Sequence, residues 1–120
     1  MTPVTIAIVG TGFVADYYMT TLARHPGLVL AGVFDSDVQR LAQFSAYHKV
    51  RAYPDFGSVL ADKTVSIIVN LTTPQAHYAV SRSALEAGKH VYSEKPLAMD
   101  LAEAEALVAL ASRNGIVLAS

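Results

Sequence analysis

A glycine-rich turn near the amino terminus constrains this chain more than any other feature. Residues Gly10 to Ala15 follow a short apolar run, Thr5 to Val9, and open a segment with helical spacing. They match the pattern G-x-G-x-x-G/A in the strand, turn and helix setting that gives it meaning. Gly10 would make a tight turn, and Gly12 would let the backbone approach a pyrophosphate at the helix N-terminus. An isolated pattern of this kind also occurs in ordinary turns.

Asp35 favours the dinucleotide interpretation over the ordinary turn. It ends the second predicted strand, twenty positions after Ala15. A carboxylate there would accept hydrogen bonds from the adenosine ribose and repel a 2′-phosphate, which predicts NAD, with NADP as the alternative. Arg40 keeps that alternative open, because it would pair with a phosphate if its loop folded back. A solvated arginine on a helix face is the more common arrangement.

Apolar runs of strand length alternate with helical segments along the whole chain. The predicted strands are Thr5 to Val9, Val29 to Phe34, Val50 to Tyr53, Val65 to Asn70, His90 to Tyr92 and Ile116 to Ala119. The predicted helices are Phe13 to Arg24, Val38 to Tyr47, a brief turn after Asp55, Gln75 to Ala87 and Leu101 to Arg113. This alternation predicts an α/β fold: a doubly wound parallel sheet of about six strands, with helices on both faces. We expect one domain, residues 1–120.

The composition narrows the classes of partner. Hydrophobic residues make up 52% of the chain and charged residues 16%, as expected for strands that are buried on both faces. The net charge of −1 gives no basic surface for nucleic acid or an anionic membrane. There is no cysteine, and the four histidines lack metal-ligand spacing, so we expect no metal site and a cytoplasmic location.

Two loops should meet the glycine-rich turn at the carboxyl edge of the sheet, where open α/β sheets bind ligands. The loop with Thr72 and Thr73 leaves the fourth predicted strand, and these residues are interpreted as helix caps, as ligand contacts, or as both. Lys95 follows the fifth strand. It is either an ordinary solvated lysine or a group that binds a substrate hydroxyl and assists its proton transfer. His77, in the first turn of a helix, is more typical of packing or capping than of catalysis.

Together these segments resemble the Gfo/Idh/MocA oxidoreductase family. The resemblance is carried by residues 10–15, 33–35, 70–77 and 87–98 and so extends over nearly the whole chain. Glu94-Lys95-Pro96 after an Ala-Gly-Lys-His strand is its most distinctive part.

The resemblance implies an NAD(P)-dependent dehydrogenase or reductase that acts on a sugar, inositol or related polyol. It implies that Lys95 is catalytic and lies beside the nicotinamide and the substrate, in a loop shaped by Glu94 and Pro96. The residues that it implies for cofactor binding are Gly10, Gly12, Phe13, Val14, Asp35, Thr72, Thr73, Pro74, Gln75, His77 and Glu94.

Members of that family continue into a second α/β domain that holds the substrate. We therefore expect this chain to be the dinucleotide-binding domain alone, to meet a polyol only together with a second domain, and to form a homo-oligomer. Two other hypotheses stay open: a non-catalytic nucleotide-binding or interaction module, and a scaffold that binds nothing and associates through the edge of its last strand.

Overall fold

Five parallel strands form one sheet in the computed structural model, which describes residues 2–120. The strands are β1 (Val4–Val9), β2 (Leu28–Phe34), β3 (Ile67–Asn70), β4 (His90–Ser93) and β5 (Leu118–Ala119). The helices are α1 (Phe13–Leu22), α2 (Val38–His48), α3 (Phe56–Ala61), α4 (Pro74–Glu86) and α5 (Leu101–Arg113). The order in the sheet is β2-β1-β3-β4-β5, so the chain changes direction across the sheet between β2 and β3. This confirms the predicted doubly wound α/β class.

The helices cover both faces of the sheet, as predicted. Successive residues of β1 point to opposite faces, because side chains alternate along a strand. Ile6 and Ile8 belong to a core that includes Ala15 of α1 and Phe44 of α2. The opposite face has its own core, where α3, α4 and α5 pack against the sheet; its residues include Ala7, Val9, Val59, Leu85 and Leu107.

The prediction of six strands was wrong, because the segment from Val50 to Tyr53 does not become a strand. It forms one isolated bridge, between Ala52 and Val33, with two backbone hydrogen bonds to Val33. Pro54 follows at once and has no N–H to extend the pairing. The Tyr53 ring packs against Gly32 instead, where any added Cβ would lie 2.7 Å from a ring carbon. The close contact between Tyr53 and Gly32 thus takes the place of the strand pairing that was expected for this segment.

Aspartate caps fix where three helices begin. The side chains of Asp37, Asp55 and Asp100 each accept a hydrogen bond from the backbone N–H three residues further on. Such caps satisfy one of the free N–H groups at a helix start. Pro74 is the first residue of α4, where its missing N–H costs no hydrogen bond. In residues 2–120, no helix combines the length and the apolar character that a membrane span requires.

Candidate functional site

A cleft of about 460 Å³ opens at the carboxyl ends of β1, β2 and β3, where the sheet order changes direction. Small-molecule and cofactor sites typically have volumes of ~300–1,000 Å³. The cleft is lined by Val9, Gly10, Gly12, Phe13, Val14, Phe34, Asp35, Ser36, Asp37, Arg40, Phe56, Leu71, Thr72, Thr73, Ala76 and Val80. The glycine-rich turn, the end of β2 and the loop after β3 therefore form one concave surface.

Gly10 makes the tight turn that leaves β1. Its φ is +101°, and an added Cβ would lie 2.5 Å from the carbonyl carbon of Leu71. Residues other than glycine rarely adopt that backbone conformation, and no side chain fits in that space. Its N–H donates to the carbonyl of Phe34 at 2.8 Å. Gly10 is thus required by the fold itself.

Gly12 is a different case, since nothing in the fold requires a glycine there. It is the N-cap residue of α1 with φ −80° and ψ −162°, an extended conformation open to any residue. An added Cβ would meet only the guanidinium of Arg40, at 3.9 Å. No side chain caps the helix start. Gly12 lines the cleft and directly precedes the N–H groups that begin α1, which is where an anion binds best.

Asp35 is nearly buried, with 8% of its surface exposed, and it ties the glycine-rich turn to the end of β2. One carboxylate oxygen accepts from the N–H of Thr11 at 2.8 Å and from its hydroxyl at 3.0 Å. The other oxygen accepts from the N–H of Asp37 at 2.8 Å. A carboxylate offers about four acceptor positions. Three are used within the chain, so capacity remains for a hydroxyl of a ligand.

Arg40 reaches back from α2 to the same corner of the cleft. Its guanidinium lies 3.7 Å from a carboxylate oxygen of Asp35, and half of its side chain is exposed. The side chain of Arg40 is thus half solvated on α2, and it also lines the cleft beside Asp35. A carboxylate and a guanidinium therefore stand side by side at this corner of the cleft.

The part of the cleft that contains Phe34 and Phe56 is apolar. The sequence analysis did not predict it. The rings of Phe34 and Phe56 lie nearly parallel, 15° apart, with centroids 6.3 Å from each other. Ala76 and Val80 of α4 complete this wall. A flat heterocycle such as adenine would fit such a surface. Phe56 follows the α3 cap directly, and no motif links it to the glycine-rich turn.

The loop after β3 presents two threonines to the cleft. The hydroxyl of Thr72 donates to the side-chain oxygen of Asn70 at 2.6 Å, which anchors it to the end of the strand. Thr73 is the N-cap residue of α4 by position, yet its side chain makes no capping hydrogen bond. Its hydroxyl is therefore available to a ligand. Gln75, two residues further on, is exposed and is not part of the cleft lining.

Lys95 lies at the same edge of the sheet, although it does not line the cleft. Its side chain is exposed, and the preceding N–H, of Glu94, donates to the carbonyl of Asn70 at 3.1 Å. The Glu94 carboxylate accepts from the hydroxyl of Tyr18 on α1 at 2.9 Å. Burial, and then this hydrogen bond, raises the pKa of Tyr18 well above its usual range, so the hydroxyl remains a donor. The bond between Lys95 and Pro96 is cis.

His77 is buried, with 1% of its surface exposed. Its Nδ1 lies 2.6 Å from the carbonyl oxygen of Pro96, and its Nε2 lies 2.8 Å from that of Thr72. The ring therefore contacts both the loop after β3, which holds Thr72, and the loop after β4, which holds Pro96.

The structure brings seven of the predicted site residues into the cleft lining: Gly10, Gly12, Phe13, Val14, Asp35, Thr72 and Thr73. Pro74, Gln75, His77, Glu94 and Lys95 are at the same sheet edge but outside that lining. Tyr18 was missed, since its partner is 76 positions away and no local pattern marks it.

The sequence profile of the Gfo/Idh/MocA family, described as an oxidoreductase family with an NAD-binding Rossmann fold, matches residues 4–120. A UDP-N-acetylglucosamine 3-dehydrogenase from Acidithiobacillus ferrooxidans is 34% identical over 93% of this chain and 34% of its own length. A scyllo-inositol 2-dehydrogenase (NADP⁺) from Bacillus subtilis is 27% identical over 93% of this chain and 34% of its own.

Among solved structures, GenD2 from gentamicin A biosynthesis, in complex with NAD, superimposes with a TM-score of 0.92. It is 29% identical, and the match covers 99% of this chain and 34% of that one. The chain spans about a third of the length of these relatives.

Proposed function

Because this chain belongs to the Gfo/Idh/MocA oxidoreductase family, we propose that it binds a nicotinamide dinucleotide for hydride transfer to or from a sugar, an inositol or a related polyol. The observation that carries the proposal is Gly12. Its backbone conformation is ordinary and the space beside it is open, so folding does not explain the glycine. Close approach of a pyrophosphate to the backbone does explain it.

The proposal assigns each part of the dinucleotide to a part of the cleft. The uncapped start of α1 at Gly12 would hold the pyrophosphate, and the remaining acceptor capacity of Asp35 would take a ribose hydroxyl. The Phe34 and Phe56 wall would hold the adenine, and Thr73 would contact the nicotinamide side. The bound dinucleotide would supply the hydride acceptor or donor.

Lys95 is our candidate for the group that acts on the substrate. It is exposed, it stands at the carboxyl edge of the sheet, and the residues on either side of it are held by hydrogen bonds. When hydride is added to a carbonyl, the ammonium would donate a hydrogen bond and then a proton to the carbonyl oxygen; when hydride is removed from a carbinol, the neutral amine would accept the proton of the hydroxyl. The substrate class rests on relatives that are named for a sugar nucleotide and an inositol.

The preference of the chain for NAD or NADP tests the proposed roles of Asp35 and Arg40 at the adenosine ribose. NAD and NADP are titrated into the chain by calorimetry, and the titrations are repeated with Asp35→Asn, Arg40→Gln and the double variant. We expect the intact chain to prefer NAD, because the Asp35 carboxylate repels a 2′-phosphate.

Asp35→Asn should shift the NAD to NADP affinity ratio toward NADP by about tenfold, ~1.4 kcal/mol. The double variant should lose most of that shift, because the Arg40 guanidinium would no longer pair with the phosphate. An unchanged ratio in Asp35→Asn would contradict this role for Asp35. Failure of the intact chain to bind either nucleotide would contradict the proposed function.

A further inference from the structure

The loop that carries Lys95 has no regular secondary structure, so contacts with the rest of the fold must hold it in place. The N–H of Glu94 donates to the carbonyl of Asn70 at 3.1 Å, which ties the backbone of the loop to the end of β3. The side chain of Glu94 reaches α1, where one carboxylate oxygen accepts from the hydroxyl of Tyr18 at 2.9 Å. The residue directly before Lys95 is therefore anchored at its backbone and at its side chain.

Tyr18 is itself held well enough to act as an anchor. It is half-buried and packs against the core that contains Ile6 and Ile8. Its ring also contacts the ring of Tyr92 on β4, with the planes 59° apart and the centroids 6.5 Å from each other, within the range of favourable aromatic pairs. Burial, and then the bond to Glu94, raises the pKa of Tyr18 well above its usual range. The hydroxyl therefore keeps its hydrogen and donates it to the carboxylate.

The helix that carries Tyr18 reaches both parts of the site. α1 starts directly after Gly12, at the cleft, and Tyr18 belongs to its second turn. The hydrogen bond from Tyr18 joins this helix to a loop 76 positions further along the chain. Because a helix is a rigid element, this contact fixes the loop after β4 relative to the glycine-rich turn.

The same hydrogen bond bears on the charge beside Lys95. Glu94 and Lys95 are adjacent in the chain and opposite in charge, and the flexible stem of a lysine lets its ammonium turn to a nearby carboxylate. Within residues 2–120, however, Lys95 forms no ion pair. The Glu94 carboxylate is engaged by Tyr18, a neutral donor, which leaves the ammonium exposed at the carboxyl edge of the sheet.

We propose that Tyr18 is a positioning residue for Lys95. Through its hydrogen bond to the Glu94 carboxylate, it fixes the loop after β4 against α1 and keeps that carboxylate from pairing with the lysine. The ammonium thereby stays available to a ligand. The importance of this availability for hydride transfer rests on the proposed function, whereas the placement of Glu94 and Lys95 does not.

The test is nuclear magnetic resonance of the whole chain at neutral pH, with Tyr18→Phe, which removes the hydroxyl and keeps the ring. We expect the signal of the Lys95 ε-methylene to move, together with the amide signals of Glu94 and Lys95. High salt should reverse the movement of the ε-methylene signal, because it screens an exposed ion pair. Tyr53→Phe is the matched control and should leave the Lys95 signals in place. Tyr53 also donates to a carboxylate, that of Asp62 at 2.7 Å, but lies beside β2, at the opposite edge of the sheet.

Glu94→Gln separates positioning from a general loosening of the loop. The amide keeps an oxygen for the Tyr18 hydroxyl and has no charge for the lysine. In a Glu94→Gln chain, Tyr18→Phe should therefore no longer move the ε-methylene signal of Lys95, whereas loosening would still move it. An unmoved signal in folded Tyr18→Phe, or equal movement with and without Glu94→Gln, would overturn the proposal.

The unaltered chain gives a second measurement, which decides if Tyr18→Phe fails to fold. We expect cross-relaxation between the ring protons of Tyr18 and the γ-methylene of Glu94, since the hydroxyl and the carboxylate are in contact. Its absence would overturn the proposal. Absence of NAD binding would refute the proposed function and leave these results standing.

Discussion

Two glycines two positions apart are present for different physical reasons. Gly10 has a left-handed backbone conformation and packs against the backbone of Leu71, so the fold needs it. Gly12 has an ordinary conformation and open space beside it, so the fold does not need a glycine there, and we propose that a ligand does. The sequence predicted both residues as parts of one motif. Only the structure separates the folding role from the binding role, because the separation depends on the distance to Leu71.

Gly10→Ala should lower the free energy of unfolding by roughly 1–3 kcal/mol or more, because the new Cβ meets backbone atoms at a strained φ. Denaturant unfolding measures the loss. Gly27→Ala is the matched control, since an added Cβ at Gly27 meets nothing within 4 Å. Equal stability of the two variants would refute this account of the turn.

The sequence allowed prediction of those site residues whose signal is local, and it missed those whose partners are distant. Asp35 was predicted from its spacing, and the structure places it in the cleft. Tyr18 and Phe56 were missed, because their places at the site depend on contacts with Glu94 and Phe34 that no spacing encodes. For Arg40 the sequence left two interpretations open, a phosphate contact and a solvated side chain, since the fold of the loop decides where its guanidinium lies.

At the scale of elements, local pattern predicted every helix and five strands, and tertiary contacts overruled it at the segment from Val50 to Tyr53. The Tyr53 hydroxyl donates to the carboxylate of Asp62 at 2.7 Å, at the end of α3. The hydroxyl of Thr64 donates to the same carboxylate at 2.7 Å. Asp62 therefore joins the segment that was predicted as a strand to the turn before β3. The periodicity of apolar residues does not reveal such a junction, because side-chain hydrogen bonds make it.

That junction predicts an acid dependence of stability. Hydrogen bonds from Thr64 and then from Tyr53 lower the pKa of Asp62 to about 2. Because the pKa in the folded chain is below the unfolded value of ~3.9, the stabilisation is present above that value and is lost as the pH falls toward 2. Asp62→Asn should flatten the loss of stability between about pH 4 and pH 2. Denaturant unfolding at several pH values checks this, and parallel curves for the two proteins would refute it.

At the scale of the whole molecule, the sheet has an outer edge at β5, beside which no further strand pairs within residues 2–120. The preceding residue, Val117, has 62% of its surface exposed. An apolar strand edge is a template for pairing with a second chain. The sequence predicted this edge, although it gave one strand too many.

We therefore expect the isolated chain to form dimers or larger species as its concentration rises. Val117→Lys should shift the population toward monomer, since a charge at an edge opposes pairing. Val38→Lys is the matched control, because Val38 is also exposed, at 77%, but lies on α2. Sedimentation velocity checks both variants. Monomer alone at high concentration of the unaltered chain would contradict association through the edge.

The most direct measurement of the central claim is calorimetric titration of NAD into the chain and into Gly12→Ser, with the thermal stability of both recorded. Serine is a better N-cap than glycine, so the variant should be at least as stable as the unaltered chain. Its side chain would occupy the space of the pyrophosphate, so NAD affinity should fall by about tenfold or more, ~1.4 kcal/mol. Gly27→Ser should change neither quantity. A stable Gly12→Ser chain that binds NAD as tightly as the unaltered one would contradict the placement of the dinucleotide in this cleft.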